Sequence, residues 1–354
     1  MRSKSKFFKN DTSIPVDKFF QTVLYDKKIG YYNSKLPFGK SGDYITAPLI
    51  SNLFSEMIGI WMVSTWEKMG KPKFFNIVEL GPGDGSLTRN LIQVFKSFSE
   101  FNSIKKIYLY ETSSNLKNVQ KKNINNKNIQ WINDFKKIKK GPVIFFGNEF
   151  FDAIPIKQFK RKNNNILEKY YFLGKDNKIQ EIYKNAKKND VKILKMFESL
   201  KNLKFIEFPK FGLNELKKII KKISKLNGCI LMIDYGYLKP SNKSTLQSVF
   251  MHNKNRILDN LGKADVTSHV NFLLLKEFFQ KNKLNVKKVI SQKRFLESLG
   301  IMERAKTISE KMKFNEQTNL YLRLRRILSP RSMGELFKVI LAYKFKNVDY
   351  HEFK

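Results

Sequence analysis

The stretch Asn76-Ile77-Val78-Glu79-Leu80-Gly81-Pro82-Gly83-Asp84-Gly85-Ser86-Leu87-Thr88 constrains this chain more than any other. An apolar run from Phe74 to Leu80 carries one acid, Glu79; three glycines then alternate, and an amphipathic segment opens at Ser86. That order predicts a buried strand, a tight turn and a helix. Alternate glycines strip every Cβ from one side of the turn, so a ligand can lie against bare backbone. The N-terminus of the following helix offers free N–H groups and a partial positive charge, which suit a carboxylate or a phosphate.

Spacing narrows the ligand. The dinucleotide fingerprint G-x-G-x-x-G needs glycine at 81, 83 and 86, and position 86 is Ser86. The form present here, Glu79, Gly81, Gly83 and Gly85, resembles motif I of the class I S-adenosylmethionine-dependent methyltransferases. An ordinary glycine-rich turn would look the same in isolation, so two later acids matter. Glu111 ends the second expected strand, about 30 residues after Gly81, where a carboxylate can accept two hydrogen bonds from ribose hydroxyls. Asp134 follows the third expected strand by two residues, where a side chain can meet an adenine edge. A sulfonium ligand also favours a site rich in Glu and Asp.

The rhythm from residue 73 onward is strand, helix, strand. Strands are expected at Phe74–Leu80, Lys106–Glu111, Asn128–Ile132, Val143–Asn148 and Cys229–Tyr235, with later candidates at Val286–Ser291 and Leu336–Tyr343. This alternation predicts an α/β fold with a parallel, doubly wound sheet, and seven strands closed by a late antiparallel one would fit. The motif I resemblance implies that this is the Rossmann-like class I methyltransferase sheet. Residues 1–72 read as an N-terminal helical extension. It holds a short helix at Val16–Tyr25, a loop from Tyr31 to Thr46 and a long amphipathic helix from about Pro48 to Met69, with Leu53, Phe54, Met57, Ile58, Trp61 and Met62 at helical spacing. Residues 73–354 read as the methyltransferase domain. An insertion at about 156–212 breaks its rhythm with a hairpin turning at Gly174-Lys175-Asp176-Asn177, either a substrate-facing flap or a decorated surface loop.

Composition removes several classes. The single cysteine, Cys229, sits in an apolar run, so neither a disulfide framework nor a metal set is expected, and a reducing compartment is. No apolar run is long enough to span a membrane, and the basic N-terminus lacks the apolar core of a secretory signal. The expected location is the bacterial cytoplasm, or the mitochondrial matrix in a eukaryote. The net charge of +37 invites a nucleic-acid reading, but only 10 of the 68 basic residues are Arg and the lysines run through the whole chain. A dedicated binder concentrates its charge on one face, so no specific nucleic-acid partner is expected, only salt-sensitive adhesion to polyanions.

The fourth strand leads into Gly147-Asn148-Glu149-Phe150-Phe151-Asp152-Ala153-Ile154-Pro155. Amino-group methyltransferases often carry Asn/Asp-Pro-Pro-Tyr/Phe here, and this chain has Glu149-Phe150 in place of the two prolines. That change favours a cationic acceptor, since Glu149 and Asp152 can clamp a guanidinium bidentately, with Asn148 orienting. Alternatively Asp152 caps the next turn and Glu149 binds the cofactor. Asp43, Asp234, Tyr235, Asp265 and His269 are further candidates for the acceptor rim, His269 equally for a structural role.

Several blocks together resemble the MidA family. They are Leu24-Tyr25-Asp26 with Gly30-Tyr31-Tyr32, Phe38 to Thr46, Val78 to Leu87, Asn148 to Pro155, Ile233-Asp234-Tyr235-Gly236, Thr245-Leu246-Gln247, Gly262 to Val270 and Met333 to Lys338. Mitochondrial members of that family are complex I assembly factors that act as protein arginine methyltransferases. The resemblance implies S-adenosyl-L-methionine as donor and a protein arginine as acceptor. The chain departs from the family at Asp84, where Arg is frequent, and at Tyr44, where Phe is. An RNA methyltransferase and a cofactor-binding assembly factor with secondary catalysis remain the alternatives.

Overall fold

A computed structural model describes residues 4–9, 11–34, 46–163, 165–346 and 349–354. Its contacts divide the chain into two units. The first comprises Met1–Tyr44, Phe151–Leu216 and Tyr237–Phe278, and the second Ile45–Phe150, Lys217–Gly236 and Phe279–Lys354. These bounds run differently from a division at residue 72.

The second unit holds the doubly wound sheet. Its strands are β1 (Phe75–Leu80), β2 (Lys105–Tyr110), β3 (Ile129–Ile132), β4 (Val143–Asn148), β5 (Cys229–Tyr237), an interrupted β6 (Asn285–Val286 and Ile290–Ser291) and β7 (Phe337–Tyr343). They lie in the order 3-2-1-4-5-7-6. The strands β1 to β5 run parallel, while β7 runs antiparallel to β5. The order reverses at β1 and β4, the point where doubly wound sheets open a crevice at their carboxyl edge. Each of β1 and β4 is buried on both faces along nearly its whole length, which explains why both are mostly apolar. β6 carries one extra residue: Val286 pairs with Ala342 and Ile290 with Val339, so three residues of β6 face two of β7.

The segment expected as one helix from Pro48 to Met69 is two, Ala47–Ile50 and α1 (Asn52–Lys68), broken at Ser51 in extended conformation. α1 is no amphipathic extension. It buries Leu53, Phe54, Met57, Ile58, Trp61, Met62, Val63 and Trp66, which share one core with Phe75 and Ile77 of β1 and with Leu91 and Phe95.

The first unit is built on antiparallel strands. Asn165–Leu173 and Ile179–Asn185 form the expected hairpin. Lys157–Lys162 and Phe205–Phe208 extend the sheet, and Ser13–Pro15 pairs with Tyr170, Tyr171 and Phe172. The N-terminal helix Val16–Tyr25 packs Phe19 and Phe20 against Tyr171 of the same sheet. Beneath it, Lys157 is buried with Glu168 in an ion pair, with Asp190 Oδ2 at 3.5 Å and Asp17 Oδ1 at 3.8 Å.

Candidate functional site

Strand register builds the site. Leu80 pairs with Tyr110 on one side and with Gly147 on the other, and Asn148 pairs with Ile233. Gly81 and Glu111 therefore follow β1 and β2, Asn148 ends β4, and Asp234, still paired with Lys338 of β7, lies one residue past the last β4–β5 pair, all at one carboxyl edge. Asp134 leaves β3 two residues beyond Ile132; it is exposed, and its Oδ1 accepts the Lys136 N–H at 2.8 Å.

The glycines have more to do than clear space for a ligand. Gly81, Gly83 and Gly85 all adopt left-handed φ (62°, 56° and 86°), which disfavours any side chain. A Cβ on Gly81 would stand 2.9 Å from the Phe150 ring, and one on Gly85 2.9 Å from Ile124 Cδ1. The bare backbone at these two positions thus admits the chain's own side chains, Phe150 after β4 and Ile124 at the end of α3 (Ser114–Ile124).

The N-terminus of α2 (Ser86–Lys96) is already served by an anion. Asp84 Oδ1 accepts the Ser86 N–H at 3.0 Å and its Oδ2 accepts the Ser86 hydroxyl at 2.7 Å. Glu79, buried at the end of β1, accepts the Thr88 hydroxyl. Burial pushes its carboxyl up to about 7, against the pull of Thr88 and with the charge of Asp84 adding to the rise. Glu111 is buried as well, and burial pushes it up despite its hydrogen bonds. Its Oε1 accepts the N–H groups of Thr112 and Ser113, each at 2.7 Å, and its Oε2 accepts Gln120 Nε2 at 3.1 Å. Of the roughly four lone-pair positions of a carboxylate, three are taken, so Glu111 offers a ribose about one more rather than two.

Three acids around one turn repel a pyrophosphate and attract a cation. Asn148 adds an open acceptor: its Nδ2 donates to Glu149 Oε1 at 3.2 Å, while its Oδ1 is buried with no partner among the described residues. Glu149 itself is held at φ 51°, a conformation costly for a residue with a Cβ, and its N–H donates to the Ile233 carbonyl at 2.9 Å.

The residues match, over 57–290, a family described as "Putative S-adenosyl-L-methionine-dependent methyltransferase". The chain belongs to that family. Its cofactor is S-adenosyl-L-methionine, and the residues present fit it: a buried open acceptor, an anionic turn and no spare anion-binding N–H at Ser86.

Relatives extend along nearly the whole chain. It is similar to the mitochondrial protein arginine methyltransferase NDUFAF7 of Xenopus laevis, 26% identical over 93% of this chain and 81% of that protein. The Rattus norvegicus protein of that name is 27% identical and the Homo sapiens one 26%, each over 93% of this chain and 80% of theirs. Among solved structures, a COG1565 superfamily member from Burkholderia thailandensis, bound to S-adenosyl-homocysteine, has the same fold. It matches at a TM-score of 0.83 with 19% identity, over 99% of this chain and 92% of that one.

The methyltransferase sheet brings Glu79, Gly81, Gly83, Gly85, Glu111, Asn148, Glu149, Asp234 and Tyr235 into one unit. Asp234 is buried and accepts its neighbour's N–H, Tyr235 N, at 3.0 Å; the Tyr235 ring packs on Phe337. Asp152, Asp265 and His269 belong to the other unit. There Asp265 accepts the Tyr32 hydroxyl at 3.1 Å and the Asp152 carbonyl accepts the Ser268 N–H at 3.0 Å. The His269 N–H donates to Thr245 Oγ1 at 3.0 Å, and burial pushes its imidazole down. Asp43, with Tyr44, lies outside the described residues.

The sequence reading missed Thr88, Asn123 and Gln120, which hold the turn from α2 and α3. Asn123 Nδ2 donates to the Asp84 carbonyl at 2.9 Å and Gln120 Nε2 to the Gly83 carbonyl at 2.8 Å. Their spacing on one helix face, three residues apart, was the available signal. Among the described residues no helix is long and apolar enough to cross a membrane, and no group of three His, Cys, Asp or Glu could hold a metal ion.

Proposed function

We propose that this methyltransferase acts on arginine in a protein substrate. The observation that carries the reading is Glu149, a carboxylate fixed at the β4 edge beside the glycine turn by a left-handed backbone and by Asn148. The relatives named protein arginine methyltransferases support the same acceptor. When bound, the cofactor supplies a methyl group on a sulfonium.

Arginine stays protonated in water, so its nitrogen must be oriented by an anion that also receives the proton it sheds. Glu149 is assigned that role, with Asp152 as second carboxylate and Asn148 as orienting amide. Glu79, Gly81, Gly83, Gly85, Glu111, Asp134 and Asn148 are assigned to the cofactor. Asp43, Asp234, Tyr235, Asp265 and His269 are assigned to the acceptor rim. Most of the rate gain would come from positioning.

The test is methyl transfer from labelled donor to arginine-containing protein by Glu149→Gln and Asp152→Asn. Each is expected to retain S-adenosylhomocysteine binding and to lose tenfold or more in turnover, about 1.4 kcal/mol or more of transition-state stabilisation. Full turnover in both folded variants, or loss of the cofactor alone, would overturn the assignment.

A further inference from the structure

Gln120 is a polar side chain with three hydrogen-bond partners around the cofactor turn, and it is fully buried. The indole N–H of Trp131, on β3, donates to its Oε1 at 2.9 Å. An indole nitrogen can only donate, so this bond fixes which way the amide faces. The two Nε2 hydrogens are then directed at the Gly83 carbonyl, 2.8 Å away, and at Glu111 Oε2, 3.1 Å away. One amide thereby joins the middle of the glycine turn to the acid after β2, and β3 supplies the anchor.

We propose that Gln120 is a positioning residue for the cofactor, holding the Glu111 carboxylate and the turn at Gly83 in one fixed geometry. The inference rests on the reading that Glu111 binds the ribose. Gln120 does not touch the ligand in this account; it acts by deciding where the one remaining lone pair of Glu111 points. Without the amide, Glu111 keeps its two backbone N–H partners but its Oε2 is free to turn, and a buried carboxylate loses a charge-assisted bond.

Calorimetric titration with S-adenosylhomocysteine tests it, using Gln120→Met, Gln120→Glu, Trp131→Phe and Glu111→Gln in the full chain. Gln120→Met is expected to weaken binding at least tenfold, with KM for the donor rising in step and kcat at saturation within about twofold. Trp131→Phe keeps an aromatic ring and removes only the donor that orients the amide, so it should weaken binding about threefold, and it serves if Gln120→Met does not fold.

Gln120→Glu adds a readout that a packing role would not move. Protonated, it can still donate to Glu111; ionised, it repels it. Its affinity relative to the parent protein should therefore fall a further tenfold between pH 6 and pH 8. Gln120→Met introduced into Glu111→Gln should cost less than threefold, because the group it positions is already altered.

The inference is overturned if Gln120→Met binds normally while Glu111→Gln is weakened, if the two substitutions are fully additive, or if Gln120→Glu runs parallel to the parent across pH. An unaffected Glu111→Gln would instead remove the ribose reading itself.

Discussion

Glu79 makes the turn sensitive to pH, and Glu79→Gln isolates that sensitivity. The carboxyl is buried beside β1's carboxyl end, accepts one hydrogen bond from Thr88 and titrates near 7 instead of the usual 4.5. Between those two values the folded protein retains a proton that the unfolded chain has released. Stability from this group is therefore intact below pH 4.5, falls as pH rises through the window, and stays low above 7. The rise from 4.5 to about 7 corresponds to at most about 3.4 kcal/mol, at roughly 1.36 kcal/mol for each tenfold in proton affinity.

Glutamine keeps an acceptor for Thr88 and carries no charge at any pH. Urea denaturation of both proteins at pH 5 and pH 8, at constant ionic strength, cancels the titration of every other group. The stability difference should shift by about 2–3 kcal/mol in favour of Glu79→Gln on going to pH 8. Parallel stability at both pH values would refute the reasoning. Because a cationic ligand favours the ionised form, donor affinity of the parent should rise over the same interval, and Glu79→Gln should flatten that rise.

Three other perturbations follow from the geometry. Gly83→Val places a β-branched residue at φ 56°, a conformation costing it about 1–2 kcal/mol, and S-adenosylhomocysteine affinity should drop more than tenfold by calorimetry; unchanged affinity would contradict the placement of the turn. Glu149→Gly relieves left-handed strain, so urea denaturation should show stability raised by about 1 kcal/mol while arginine methylation is lost; reduced stability would mean the backbone there is unstrained. Lys157→Met leaves Glu168 and Asp17 without their shared cation, while Asp190 keeps Lys210, and should cost about 3–5 kcal/mol at pH 7, less in acid because burial holds the Glu168 carboxyl above its ordinary value and it takes up a proton; thermal melts at pH 7 and in acid decide it.

What was legible from sequence was local. The run Phe75–Leu80 ending in alternate glycines could be placed because burial on both faces and left-handed turns leave direct marks in residue type. Glu111 and Asn148 followed because strand register puts successive strand ends side by side. The glycine roles were not legible, since Phe150 fills the space at Gly81 and Ile124 that at Gly85, and contacts across loops have no sequence period.

The pairing of Ser13–Pro15 with Tyr170–Phe172 was equally hidden, because no local pattern encodes a partner so distant in the chain. α1 was misjudged as an amphipathic helix because its apolar stripe is one part of a helix buried around most of its circumference. The place of Gln120 was hidden too, because most of its neighbours on α3 are polar and only its three partners reveal that the amide is buried.

The proposed acceptor of the methyl group is a protein arginine. Mass spectrometry of cell protein with and without the gene tests it directly. A methylarginine-bearing peptide should disappear on deletion, return with the parent protein and fail to return with Glu149→Gln. A methyl mark that vanishes from RNA or from another side chain, with every methylarginine unchanged, would contradict it.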